Sequence, residues 1–299
     1  MRAIRLIPNM LENLGKLRRI DVQRRALAAF IFVVVFDPGS QAKALGSAWE
    51  CSKQWVLTWS DEFNGPDGAP PDDTKWVMKS GGNGWGNNEL QYYTSQRQNI
   101  RQENGQLVIE AIKENFTGPD GVERRYTSGR LSTAGKFSQQ YGRFEARIKL
   151  PSGQGIWPAF WLLGDDISTK GWPNCGEIDI IESVGSTPSK VSGSLHGPGY
   201  FADKSITGSY TLSKGRFSEE FHVFSIEWEP QAIRFYVNDH LYAARTPADL
   251  PPGKPWVYDH AFYLILNLAV GGNLPGSPSD STIFPQRMLV DYVRVYSRS

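Results

Sequence analysis

Glu177, Asp179 and Glu182 fall within one short stretch, Glu177-Ile178-Asp179-Ile180-Ile181-Glu182. Carboxyls this close together can divide acid, base and nucleophilic work between them. They cannot all ionise freely, so at least one pKa must rise and leave a proton available for a leaving group. The interleaved isoleucines read as a strand, whose side chains alternate between two faces. Glu177 and Asp179 then share a face. A regular strand would send Glu182 to the isoleucine face, where an unpaired carboxylate is costly to bury. A bulge around Ile180-Ile181 resolves the conflict by returning Glu182 to the face of the other two. Glu177 and Glu182 are then about four regular positions apart, on the order of 13 Å between Cα atoms at roughly 3.3 Å per residue. Two glutamate side chains leaning together close most of that gap. A carboxyl separation of about 5–5.5 Å serves glycosidic cleavage with retention, and about 6.5–9.5 Å serves inversion.

The elements that must position these acids are short strands. Asn99 to Ala111 is a hairpin turning at Asn104-Gly105. Gly142 to Leu150 alternates Phe144, Ala146, Ile148 and Leu150 against charged neighbours, as a half-buried strand does. Phe224 to Tyr242 reads as three strands joined at Glu229-Pro230 and Asn238-Asp239, and Ala261 to Val270 and Met288 to Tyr296 add two more. Many short strands with almost no helical periodicity predict an all-β sandwich or jelly roll. Trp157 and Trp161, four apart, share a face on a neighbouring strand, whether lining a cleft or filling a core. His196, in Gly193-Ser194-Leu195-His196-Gly197, is expected either beside the carboxylates or as a structural histidine. Asn87, Glu89 and Arg130 lie in polar loops or strand ends and are candidates for binding sugar hydroxyls.

Composition narrows the class. Thirty-two Lys+Arg against thirty-one Asp+Glu give a net charge of +1, which argues against a nucleic-acid surface. Ten tryptophans, several of them in Gly/Pro-rich segments, suit a carbohydrate cleft. Residues 1–25 are basic and precede the apolar run Ala26 to Phe36, too short to span a bilayer but fitting a secretory signal. With Ala42-Lys43-Ala44 as cleavage pattern, residues 1–44 are read as an N-terminal extension with the signal and 45–299 as one catalytic domain, secreted. No later segment is long and apolar enough to cross a membrane. Cys51 and Cys175 are the only cysteines; they form no framework, and their pairing is left open.

Beyond the acids, Trp59 to Asn64 (WSDEFN), Asn87 to Thr94 (NNELQYYT), Asn104 to Ile109 (NGQLVI), Gly155 to Leu163 (GIWPAFWLL), Phe262 to Gly272 (FYLILNLAVGG) and Val290 to Tyr296 (VDYVRVY) stand in the order found in a known family. With GEIDIIE, they resemble glycoside hydrolase family sixteen, in its bulged, laminarinase-like branch. The resemblance implies a jelly roll of two curved antiparallel sheets with a concave glycan cleft, and endo-cleavage of β-1,3-glucan by double displacement. It implies Glu177 as nucleophile, Glu182 as acid/base, Asp179 as supporting acid and Trp172 as a platform stacked on a sugar. No cofactor is implied for catalysis. A structural calcium is implied at Glu62, Gly105 and Asp291, where carbonyl and carboxylate oxygens are suitable hard ligands. A monomer whose partner is a β-glucan is the expectation. Mixed-linkage glucan, a galactan, or a lectin-like module of the same fold are the alternatives.

Overall fold

The structure, a computed structural model, describes residues 54–299. The expected secretory signal over 1–44 and Cys51 lie outside the described residues, and with Cys51 the question of its pairing to the buried Cys175.

Two sheets lie face to face. The sheet carrying the acids runs β12 (Ile206–Thr211), β11 (Lys190–His196), β10 (Glu177–Glu182), β9 (Ile156–Gly164), β16 (Phe262–Val270), β7 (Arg130–Ser132) and β2 (Val77–Met78). The opposing sheet runs β15 (His240–Arg245), β14 (Ala232–Val237), β13 (His222–Glu229), β8 (Gly142–Lys149), β17 (Gln286–Arg298), β5 (Gln106–Thr117), β6 (Glu123–Ser128) and β3 (Gln91–Tyr93). β1 (Trp55–Asp61) adds to β17, and β4 (Ile100–Glu103) pairs with β5 across the Asn104-Gly105 turn. The pairing is antiparallel throughout except at the edge, where β3 lies parallel to β6. β3 is three residues long and is also held from its other side by a Gly81–Tyr93 bridge, so no hairpin fixes its direction.

Alternation places the core. In β8 and β13, Phe144, Ala146, Ile148, Phe224, Ile226 and Trp228 are fully buried and point at the other sheet. In β16, Leu264, Leu266 and Leu268 point into the same core, and Ile265 and Asn267 point away from it. Each fully buried Leu, Ile or Phe among them contributes about 1.5–3 kcal/mol of burial. A smaller apolar cluster, Leu163, Cys175 and Ile265 with Trp161, Ile167 and Tyr263, forms on the opposite face of the acid-bearing sheet. It fastens the 165–176 segment, which contains one helical turn, α1 (Ile167–Lys170).

Candidate active site

Strand β10 is bulged where the alternation demands it. Asp179 pairs with Trp161 and Glu182 with Ala159, so Ile180 and Ile181 together span the single residue Phe160 of β9. Toward β11 the same pair spans Gly193, between Asp179–Ser194 and Glu182–Ser192. Both isoleucines are thereby buried, and Ile178 with them. Glu182 returns to the face of Glu177 and Asp179.

Each glutamate is gripped by an indole. Trp172 Nε1 donates to Glu177 Oε2 at 2.8 Å, and Trp157 Nε1 donates to Glu182 Oε1 at 3.0 Å. Burial raises all three carboxyls: Glu177 is pushed up to about 8, with Asp179 adding to the rise, and Glu182 to about 7. Asp179, almost sealed from solvent, lies well above its ordinary range through burial and the charge of Glu182. The protons belong to the cluster, and no single step belongs to one residue. Such a set can hold an ionised carboxylate and a protonated one side by side.

His196 ends β11 opposite Glu177. Its Nε2 stands 2.8 Å from Asp179 Oδ2, in a bent contact, and 3.8 Å from Glu177 Oε1. Its Nδ1 accepts the backbone N–H of Ala202 at 3.1 Å. The Trp172 ring, 44% exposed, remains open to a ligand and touches Phe201 edge-on at 5.3 Å between centroids.

Toward β16 and β7 the same face is aromatic and hydrogen-bonded. Trp161 Nε1 donates to Asn267 Oδ1 at 2.7 Å, Asn267 Nδ2 to the Tyr93 hydroxyl at 3.2 Å, and Tyr93 to Glu89 Oε2 at 3.0 Å. Gln91 also donates to Glu89 Oε2, at 2.6 Å, and accepts from the Val270 N–H. Glu89 is therefore buried beneath the floor, its carboxyl raised by burial, and it fixes the segment that also carries the half-buried Asn87. The Arg130 guanidinium lies between Trp85 and Trp161, 4.7 and 4.9 Å from the ring centroids. Trp157, Trp161, Arg130 and His196 thus join the carboxylates on one face. Trp85, Asn267, Tyr93, Phe201 and Ala202 belong to it without having been expected. The asparagine had a signal, a lone polar residue inside the apolar run of β16; Trp85, in Gly84-Trp85-Gly86, had a weaker one.

Two places invite a metal. Glu177, Asp179 and His196 offer ligand atoms within 4.8 Å of one another. The Ala202 N–H, however, occupies the Nδ1 lone pair, so neutral His196 carries its proton on Nε2, the atom that a cation would need bare. At the second place, register sets Gly105 and Asp291 near each other, through Leu107–Val290, and Glu62 follows Asp61, the partner of Val293. Arg294 takes both Glu62 oxygens at 2.9 and 2.8 Å. Arg147 takes Asp291 Oδ2 at 2.7 Å and leaves Oδ1. With the Glu62 carboxylate held by Arg294, backbone carbonyls and Asp291 Oδ1 are the hard donors that this place offers.

Comparison with known proteins agrees with this geometry. A profile of Glycosyl hydrolases family 16 matches residues 87–292. A curated beta-glucanase of Rhodothermus marinus is 45% identical over 252 residues, which cover 81% of this chain and 85% of that protein. The solved endo-β-1,3-glucanase of Pyrococcus furiosus is 49% identical, with a TM-score of 0.79 over 83% of this chain and 96% of that one. The laminarinase catalytic domain of Thermotoga maritima is 48% identical, with a TM-score of 0.77 over 82% and 99%.

Proposed function

The chain belongs to family 16 of the glycosyl hydrolases, and from that premise we propose that it cleaves internal β-1,3-glucosidic bonds of laminarin-type glucans with retention. The observation that carries the mechanism is the bulged strand: Glu177 and Glu182 share one face, each with an indole N–H on one oxygen. Protonated Glu182 gives its proton to the glycosidic oxygen as Glu177 attacks the anomeric carbon, and the aglycone leaves. Water then loses a proton to Glu182 and displaces Glu177 from the glycosyl ester. Asp179 shares a hydrogen bond with Glu177 and holds it in line. In the free cleft the protons are shared by the coupled carboxyls, so the raised values of the two glutamates do not by themselves assign the acid.

The exposed Trp172 face suits the apolar face of a pyranose, and the Trp85–Arg130–Trp161 stack offers guanidinium donors to hydroxyls further along. The substrate is tested by reducing-end release from laminarin, mixed-linkage β-glucan and agarose in parallel. Laminarin is expected to be cleaved fastest. Cleavage of agarose alone would move the activity to a galactan. Export rests on the apolar run and cleavage pattern before residue 45, and is tested by finding the mature N-terminus in the culture medium. A structural calcium on Asp291 Oδ1 and the nearby carbonyls is part of the same reading. A chelator is then expected to lower Tm and leave the activity of the folded enzyme intact; no change in Tm would remove the calcium.

A further inference from the structure

After His196 the chain makes a tight turn whose hydrogen bonds all serve to hold it still. Gly197 and Tyr200 exchange both backbone hydrogen bonds across Pro198-Gly199, at 3.0 Å each. Tyr200 is fully buried and its hydroxyl donates to the Pro255 carbonyl at 2.8 Å. The Tyr258 hydroxyl, also buried, donates to the His196 carbonyl at 2.9 Å. So anchored, the next two residues reach back to the site. Phe201 braces Trp172 edge-on. Ala202 takes φ of +53°, where a Cβ costs roughly 1–2 kcal/mol, and in that conformation its N–H meets His196 Nδ1 at 3.1 Å. Glycine would adopt this backbone freely. The strain is kept in place by the buried tyrosine anchors on one side and the Lys204→Phe201 and Ser205→Ala202 backbone bonds on the other.

We infer that the 197–204 turn is a positioning element of the catalytic site, in which the Ala202 amide fixes His196 in its neutral Nε2–H form, with that N–H beside Asp179 and Glu177. The chemistry is one of donor and acceptor count. A backbone N–H only donates, so the ring nitrogen facing it must keep its lone pair. The single proton of a neutral ring is then on Nε2, 2.8 Å from Asp179 Oδ2. The contact is bent, so it sets the N–H beside the carboxylate without completing an aligned hydrogen bond. A second proton on Nδ1 would set two donors against each other. The groups that face the ring are Glu177, Asp179 and Glu182 from β10 and the Trp172 indole; the Asp203 and Lys204 side chains of the turn itself are exposed. Keeping the ring uncharged matters because a positive charge there lowers both glutamates, against the burial that raises them. On this inference His196 acts through the carboxylates and is a positioning residue.

The inference rests on the glucanase reading for its consequence, and two measurements on the full chain separate the two claims. Isotopically labelled histidine NMR, with His196 assigned by its loss in His196→Gln, reads the tautomer directly. The Nε2–H form is expected through the pH range of activity. An Nδ1–H form or an imidazolium would overturn the inference whatever the enzyme hydrolyses. In kinetics, His196→Ala is expected to lower kcat on laminarin by about tenfold to a hundredfold, through misplaced carboxylates, with KM little changed. His196→Gln keeps a neutral donor at the Nε2 position and is expected to recover most of that loss, with both limbs of the pH profile in place. A Gln variant as impaired as Ala, or with a displaced limb, would mean that the histidine works by its charge, against the inference. A wild-type enzyme silent on every glucan would instead sink the functional reading, and the tautomer would still decide the role of the turn.

Discussion

At the scale of single residues, the site works by stacking three carboxyls where water is scarce and supplying each glutamate with one indole donor. Their raised pKa values set the pH response. The alkaline limb of kcat/KM, which reports the free enzyme, is expected where the glutamates lose their shared acid proton, at about 7 to about 8. Asp179 raises Glu177 by its charge and its hydrogen bond, so Asp179→Asn is expected to move the steps of the cluster acidward as well as slow turnover. A limb that stays in place would show that Asp179 is not coupled to the reaction. The same shifts carry a sign for stability. Glu177 binds its proton more tightly in the folded state, from an ordinary 4.5 up to about 8, so folding is favoured below that window and loses stability as pH rises through it. Glu177→Gln removes that liability. Its Tm should exceed that of wild type at pH 8 to 9 by a margin worth roughly 1–3 kcal/mol, and the margin should shrink at pH 4. A variant less stable than wild type at the higher pH would contradict the burial of that charge. These acids were legible in the sequence because they sit together on the chain. The Trp85–Arg130–Trp161 stack and the Trp161–Asn267 bond were not, since their partners are up to 106 residues apart and no local pattern joins them.

At the scale of elements, the bulge of β10 and the strand beside it form one device. The bulge was readable because regular alternation would have buried Glu182, and the hairpin at Asn104-Gly105 because that dipeptide accepts positive φ at both positions, +54° and +70°. What alternation alone could not reveal is why β11 tolerates two isoleucines opposite one residue: that residue is Gly193. A Cβ there would stand 2.5 Å from the Phe235 ring and 2.6 Å from the Tyr242 hydroxyl, on the opposing sheet. Gly193→Ala is therefore expected to wedge the sheets apart at a cost of about 1–3 kcal/mol. Because Ser192 and Ser194 hold the register of Glu182 and Asp179, kcat should fall together with Tm. A stable variant with full activity would show that the sheets are looser here than their packing implies. The direction of β3 and the turn at 201–202 were also hidden. The first is fixed by neighbours on both edges, and the second by tyrosines anchored more than fifty residues away along the chain.

At the scale of the whole molecule, chemistry and ion pairing occupy opposite surfaces. The outer face of the other sheet carries a network in which Arg143 meets Glu145, Glu227 and Asp239, Arg298 meets Glu227 and Glu229, and Arg234 meets Glu229. Isolated surface pairs contribute little, but a shared hub couples several. Glu227 is such a hub and also accepts from the Tyr236 hydroxyl. Glu227→Gln should lower stability by roughly 1 kcal/mol, less in high salt, with kcat unchanged. A loss of activity at equal folding would mean that the two sheets communicate. The near-zero net charge likewise suits a neutral polymer, whose binding should vary little with ionic strength.

The central claim, a double displacement by Glu177 and Glu182 on a β-glucan, is tested most directly by the anomer first released from laminarin, followed by proton NMR before mutarotation. The account predicts the β-anomer from wild type, and no product from Glu177→Gln while that variant remains folded. The α-anomer appearing first would contradict it, since inversion requires a water where the account places the nucleophile.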